Sequence, residues 1–517
     1  MKKNLIIAMV LLCASSMSAT AQQATIKVDI ARVIGDIDRN IYGVFMEPIR
    51  NSMDGVLYNP EHPLANADGF RTDYIEAAKE LKLTNMRWPG GNYTASYDWK
   101  DGIGPRDQRP VRRELAWNVL DRNRVGTDEW LALAKAMGVD NSICINGGTG
   151  SIDDARDWIE YVNSPAGSLW ADRRAKNGHP EPYSVKYWHL GNEVDGEPWQ
   201  AVSSTWQEYV RFAKNAANIM YFVNRGCQAC TQPTFIVMGS SFVVSNGVRA
   251  DWETWNWNVI DNLITQRNVE YIALHRYWGT DFNQDISRDR TPNVFLGDWA
   301  IHFDDYITTT KNQIQVAKVK HELRDKPFYI AFTEWSSGGG NQLSTLAGAL
   351  HFNIFLRHAD AVKRANFTMF TSLLARDRDG TTYKSPFFHM WKAYSTNVHG
   401  KSLDVAVKSA TFDGKVYKGI PYLDVSSSYA EAEKTVVINV VNRNMSDAID
   451  THIISDTGEF AGQAAVSVIN ADSVNAMYTF AQRENYNAVA ESVRASGRSF
   501  RYSFAPHSFT QIKVRVE

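Results

Sequence analysis

Between residues 41 and 394 short apolar runs alternate with stretches of helical period. Each run ends in a polar or charged residue where a turn begins. Ile41 to Phe45 leads to Glu47, Thr84 to Trp88 to Asn92, Ser142 to Ile145 to Asn146, and Lys186 to Leu190 to Asn192 and Glu193. Phe235 to Met238 leads to Ser240, Tyr271 to Leu274 to His275, Phe328 to Phe332 to Glu334, and Phe367 to Phe370 to Ser372. Tyr74 to Leu81, Thr127 to Met137, Thr205 to Met220 and Ser344 to His358 carry the helical period between them. A strand-length run followed by a helix is a βα unit, and such units in series build a parallel sheet. Eight in a row predict a (β/α)8 barrel of the α/β class, with chemistry at the C-terminal ends of its strands. After Tyr394 the period changes. Lys434 to Asn442, Phe500 to Phe504 and Ser508 to Val516 read as strands with turn residues between, which predicts an all-β sandwich. Ala24 to Ile34 is also strand-like and is expected to pair with that sandwich. The predicted division is a leader over 1–21, a strand segment over 22–40, the barrel over 41–395 and the sandwich over 396–517.

Charge adds an exclusion. The 55 basic and 57 acidic residues nearly cancel, so no net field favours a polyanion and nucleic acid is not an expected partner. Sixteen Trp suit either sugar stacking or the core of a large barrel. Lys2 and Lys3, the apolar run Leu5 to Cys13, and Ala19-Thr20-Ala21 have the order of a secretory signal. The expectation is therefore export to the periplasm or beyond, with mature residue Gln22; lipoprotein processing at Cys13 is the lesser alternative. That run is too short to span a bilayer, and no other stretch is long and apolar enough. Cys227 and Cys230 suit a loop-closing disulfide more than a zinc or redox site, and Cys144 sits in an apolar run. Histidines lack ligand spacing, so neither metal nor cofactor is expected. Pro89-Gly90-Gly91 lacks the ending of a phosphate loop and reads as a tight turn that aims Asn92 inward.

Two carboxyls stand out because each directly follows a buried strand: Glu193 after the fourth run and Glu334 after the seventh. Glycoside hydrolysis needs such a pair on either side of one bond, one to protonate the leaving oxygen and one to attack carbon or activate water. Only a closed barrel brings these two strand ends together.

The contexts carry a resemblance. Met86-Arg-Trp-Pro-Gly-Gly-Asn92, Tyr97 to Pro105, Gln108-Arg-Pro110, Gly191-Asn-Glu-Val-Asp-Gly196, Pro198-Trp199-Gln200, His275 with Tyr277, and Glu334-Trp335 occur in one order along nearly the whole chain. The chain resembles the α-L-arabinofuranosidases of glycoside hydrolase family 51. That resemblance implies a retaining exo-glycosidase acting on arabinose-containing oligo- or polysaccharides, with Glu193 as acid/base and Glu334 as nucleophile. It implies that Arg87 pairs with Glu334, that Asn192 holds the 2-hydroxyl, and that Glu47 and Asn92 hold other furanose hydroxyls. It places Tyr277 against the nucleophile with His275 beside it. Trp88, Trp99 and Trp199 are either pocket walls or packing. Relatives of the family commonly assemble, so a homo-oligomer is open. The chain departs from the family pattern at Pro48, at Arg276, along Ser336 to Gly340, and at Lys384-Ser385. Two other readings stand beside this one: an endo-acting glucanase or xylanase, or another furanosidase, on the same scaffold, and a non-catalytic carbohydrate-binding protein. Trp278 to Asp304 reads as a long polar insert that can shape either an open cleft or a pocket.

Overall fold

The computed structural model describes residues 22–50, 52–196, 204–241, 251–279, 286 and 288–517. The leader residues 1–21 and the Pro198-Trp199-Gln200 motif lie outside them. Eight parallel strands close into a barrel: β1 (Gly43–Phe45), β2 (Asn85–Trp88), β3 (Asp140–Cys144), β4 (Tyr187–His189), β5 (Thr234–Met238), β6 (Val269–Tyr277), β7 (Tyr329–Ser336) and β8 (Val362–Thr368). Neighbours in sequence are neighbours in the barrel, and β8 closes on β1. The helices are α1 (Thr72–Glu80), α2 (Thr127–Met137), α3 (Ile152–Asn163), α4 (Leu169–Lys176), α5 (Trp206–Val223), α6 (Trp252–Leu263), α7 (Trp299–Lys320), α8 (Gln342–Arg357) and α9 (Pro386–Asn397). Local chemistry starts and stops them. Ser151 caps α3 and Thr205 caps α5 through their hydroxyls, each in a reciprocal pair with the acid three residues on. Gly138, at φ +74°, ends α2.

Two expectations shift. The eighth strand begins at Val362, not Phe367, and Phe370 to Ser372 is a short helical turn. Lys363, Arg364 and Asn366 broke the apolar run, yet Arg364 and Asn366 are buried. The segment 278–304 is not a polar insert throughout. From Val294 it is helical and leads into α7, burying Phe295, Leu296, Trp299 and Phe303.

The C-terminal module stacks two sheets. One runs Val33–Asp36, Lys401–Leu403, Leu423–Ala430, Thr435–Asn442, Phe509–Val516, Phe460–Ile469, Val489–Arg494. The other runs Ala406–Lys408, Gln22–Asp29, Ile449–Thr457, Ser499–Phe504. Ile26, Val28, Val436, Ile438, Ile453, Phe500 and Ile512 fill the space between them. The N-terminal strand pairs in parallel with Ile449–Thr457. Asp424 fixes the module to the barrel, accepting from Asn353 and Arg357 of α8 at 2.8 and 3.0 Å. Cys227 and Cys230 are joined by a disulfide, and Cys144 is buried.

Candidate active site

Strand ends converge at the C-terminal mouth of the barrel. Arg87 points inward from β2. Its Nη1 donates to Glu334 Oε1 at 2.8 Å, and its Nη2 donates to Asn192 Oδ1. The Tyr277 hydroxyl donates to the other oxygen of Glu334. Glu334 therefore meets a fixed cation on one oxygen and a phenol donor on the other, which hold its carboxyl in place. Burial, then the charge of Glu334, hold the Tyr277 hydroxyl well above its ordinary value, so it stays a donor.

Glu193 stands just past β4 with φ +44°, a conformation that costs a non-glycine residue energy and that surrounding structure must hold. His275 Nδ1 lies 2.9 Å from Glu193 Oε1, and His275 Nε2 lies 2.7 Å from Thr333 Oγ1. Burial pushes His275 down to about 3, so the ring is neutral, with one nitrogen donating and the other accepting. His275 and Tyr277 are two apart on β6 and share a face. On β7 Thr333 and Glu334 are consecutive yet both reach this cluster. The ladder explains it: pairing with β8 shifts register between Phe332 and Trp335, and pairing with β6 shifts at Leu274/His275. Such irregularities re-aim side chains near active sites.

Glu47, past β1, is buried. Its Oε1 accepts from Tyr93 N at 2.9 Å and Trp117 Nε1 at 2.8 Å. Burial first, then the Glu334 carboxylate, push Glu47 well above the ordinary carboxyl range, with these donors opposing. Gly91, at φ +68°, makes room: a Cβ there would lie 2.1 Å from the Glu47 carboxyl. Next to it Asn92 Oδ1 accepts from Asn192 Nδ2 at 3.3 Å. Thus seven of the eight site residues singled out in the sequence are joined by side-chain contacts, with His275 Nδ1 3.7 Å from Glu334 Oε1 as the link between the two carboxyls, and Glu47 joins them through Tyr93, the chain neighbour of Asn92.

Two further residues of that cluster escaped the sequence. Thr333 stands between the apolar run that ends at Phe332 and Glu334, where nothing local marks it. Trp117 sits at the tip of the hairpin Arg112–Glu114 and Val119–Asp121, where Glu114 accepts from the backbone of Ala116 and Trp117. The only sequence sign of that tip is Asn118, at φ +52°. Trp88 and Trp99 are buried packing: Trp88 stacks on Trp130 at 5.7 Å, and Trp99 on Trp158 at 5.7 Å. Glu193, His275 and Glu334 bring donor atoms within 4.8 Å of one another, a spacing a metal ion can span. The Arg87 guanidinium already occupies the cationic role beside Glu334.

The chain is similar to known proteins along most of its length. Residues 77–282 match the family model of the α-L-arabinofuranosidase 1 domain, and residues 338–508 match that of the α-L-arabinofuranosidase C-terminal domain. An intracellular exo-α-(1→5)-L-arabinofuranosidase 1 of Bacillus subtilis is 32% identical over 458 residues, covering 84% of this chain and 87% of its own. An intracellular exo-α-(1→5)-L-arabinofuranosidase of Halalkalibacterium halodurans is 30% identical over 487 residues, covering 89% and 92%. Among solved structures, an α-L-arabinofuranosidase of Thermotoga maritima in complex with arabinose superposes with a TM-score of 0.82 at 28% identity, covering 95% of this chain and all of the other. A GH51 α-L-arabinofuranosidase of Thermotoga petrophila gives 0.83 at 28%, with the same coverage. Both sequence relatives are named intracellular, which overturns the exported location expected from residues 1–21. A charged, then apolar, then small-residue order is a signal of local composition, and here it conflicts with the address of whole-length relatives. No helix among the described residues is long and apolar enough to cross a membrane. With matching models on both modules, relatives aligned over most of its length and a carboxyl pair at its barrel mouth, the chain belongs to the α-L-arabinofuranosidases of glycoside hydrolase family 51.

Proposed function

We propose that the chain releases terminal α-L-arabinofuranosyl units by double displacement with retention, Glu334 attacking and Glu193 moving the proton. The observation that carries this reading is the carboxyl spacing: an oxygen of Glu193 and one of Glu334 lie within 4.8 Å. A retaining pair stands about 5–5.5 Å apart, whereas an inverting pair needs about 6.5–9.5 Å to admit water between. The neighbours divide the roles. Glu334 faces the Arg87 guanidinium and the Tyr277 hydroxyl, which aim it for attack, while Glu193 faces the neutral imidazole of His275.

In the first step a Glu334 oxygen bonds to the anomeric carbon as Glu193 gives its proton to the leaving oxygen. In the second, Glu193 takes a proton from water, whose oxygen displaces Glu334 from the same carbon. Two inversions leave the configuration unchanged. Asn192, Asn92 and Glu47 supply the donors and acceptors that a furanose ring needs, and Asn192 is itself aimed by Arg87. Tyr277 and Arg87 hold Glu334 at its attack position; His275, braced by Thr333, holds Glu193. The (1→5) linkage in the names of the two bacterial relatives makes terminal α-1,5-linked arabinofuranose of arabinan-type chains the proposed substrate.

The test is hydrolysis of p-nitrophenyl α-L-arabinofuranoside by wild type and by Glu334→Ala, the latter with and without azide. Turnover is expected to fall by more than about 10³-fold in the variant, with azide restoring it as an arabinosyl azide of inverted configuration. A variant that still turns over, or a wild type that cleaves a glucan or xylan instead, rejects the assignment.

A further inference from the structure

Between strands Phe460–Ile469 and Val489–Arg494 the C-terminal module sends an excursion, residues 470–488, back to the barrel mouth. Leu343 N donates to Val474 O at 2.8 Å, and Tyr478 N donates to Gly340 O at 2.9 Å. The Tyr478 and Thr345 hydroxyls meet at 2.7 Å. Gly340 belongs to the loop that leaves Glu334, so the excursion is seated on the loop that follows the proposed nucleophile. It then crosses to the hairpin Ala375–Arg376 and Thr382–Tyr383 that follows β8. There Phe480 and Tyr486 flank Tyr383, with ring centroids 5.8 and 6.2 Å away. Beside them lies a cavity of about 370 Å³, which Tyr383, Arg483 and Asn487 line together with Glu76 of α1.

The chemistry of this cavity differs from that of a packing fault. Tyr383 is the ring that lines the cavity, Phe480 and Tyr486 pack against it, and all three are half-buried. They are held in place: Tyr486 OH accepts from Thr479 N at 2.5 Å, and the Arg483 guanidinium lies 4.1 Å over Phe480. Glu76 and Asn487 are exposed at the rim, offering acceptors and donors. A fixed aromatic face beside hydrogen-bonding side chains matches a sugar, which has an apolar C–H face and a polar edge. The volume lies in the range of small-molecule sites, about 300–1,000 Å³. Basic and acidic side chains both line it, so nothing selects a charged sugar.

We propose that this cavity is a secondary carbohydrate subsite, built jointly by the barrel and the C-terminal excursion, which takes a neutral sugar residue of the polymer being trimmed. The proposal rests on the glycosidase reading above and assigns the C-terminal module a share in polymer binding. A small aryl glycoside fills only the catalytic pocket and does not feel the subsite; a polymer does.

The experiment compares wild type, Tyr383→Ala, Tyr486→Ala and the milder Asn487→Ala on p-nitrophenyl α-L-arabinofuranoside, linear α-1,5-arabinan and arabinoxylan. On the aryl glycoside all variants are expected to stay within about twofold of wild type. On one of the polymers Tyr383→Ala is expected to raise KM about five- to tenfold with kcat held, the size of one lost stacking contact, and Tyr486→Ala, which removes a ring packed on Tyr383, and Asn487→Ala each about two- to threefold. Variants that match wild type on both polymers overturn the subsite, as does an equal loss on aryl glycoside and polymer or a wild type that acts on neither polymer. Wild-type turnover of the aryl glycoside is read separately, so failure of the subsite and failure of the glycosidase reading give different results.

Discussion

Two arginines line the same barrel and are almost completely buried: Arg87 on β2 and Arg364 on β8. Arg87 faces the carboxylate of Glu334 and the amide of Asn192 at the barrel mouth. The Arg364 guanidinium makes no hydrogen bond among the described residues and lies 4.3 Å over the ring of Tyr187, next to Tyr271. Burial lowers its pKa, with only the neighbouring tyrosines and distant acids opposing. Burial of a charge is thus common to both, and the partner is what differs. A charge bedded on aromatic rings serves packing, whereas a charge set against a second, opposite charge fixes that group's position. The largest expected effect follows. Arg87→Met leaves Glu334 without its cation and Asn192 without its donor at the reacting centre, and is expected to lower kcat/KM by about 10²–10³-fold. Arg364→Met removes a charge without an opposite partner. It is expected to leave kcat/KM within about threefold and to hold or raise the unfolding midpoint. Equal activity losses in the two variants would break the comparison.

The same contrast explains what the sequence shows and hides. The first seven barrel strands are visible because each carries a short run with buried apolar residues, such as Met86 and Trp88 on β2 and Phe235 to Met238 on β5, and the site residues are visible because they lie in or just after those runs. The start of β8 is hidden because Arg364 and Asn366 face the interior, where Asn366 donates to Asn85 at 2.7 Å. Leu423–Ala430 is hidden likewise: Asp424, Ser426, Ser427 and Ser428 read as loop, yet they are buried. Asp424 and Ser426 meet Asn353 of α8 there. Period-based reading assumes apolar residues inside, and it fails where the inside is polar and satisfied. Trp117 fails for the opposite reason. It reaches Glu47 from an irregular hairpin tip that has no period, and nothing local marks its target.

The two carboxyls nearest each other in charge sharpen the comparison further. Glu334 has a cation, and among the described residues Glu47 pairs with none; Glu47 is held by neutral N–H groups and is pushed upward by burial and by Glu334. A carboxyl in its neutral form is well copied by an amide, and a nucleophile is not. Glu47→Gln is therefore expected to lower kcat/KM on the aryl arabinofuranoside by no more than about tenfold, and Glu47→Ala by about 10²-fold or more, since the cavity also loses its hydrogen bonds. Gln and Ala variants of equal activity would show that the charge of Glu47, and not its shape, is in use.

The smallest effect separates His275 from His351. Both are completely buried, and burial pushes both down to about 3. His275 touches Glu193, while His351 packs between Trp278 and Trp335, with centroids 4.7 and 4.6 Å away. Each folded pKa lies below the unfolded value of about 6.5. Between those values the unfolded chain takes up a proton that the folded chain refuses. Stability is therefore full above about pH 6.5 and falls as pH drops toward 3, by about 1.4 kcal/mol per pH unit for each such histidine. Denaturant unfolding from pH 7 to 4 is expected to lose one proton's share of that slope in either His275→Gln or His351→Leu. Only His275→Gln is expected to lower kcat, because it alone removes the imidazole that positions Glu193. An unchanged slope in His351→Leu would mean that this ring is protonated in the fold. A kcat loss in both variants would mean that the aromatic packing around Trp335, rather than a direct contact, sets the geometry of Glu334.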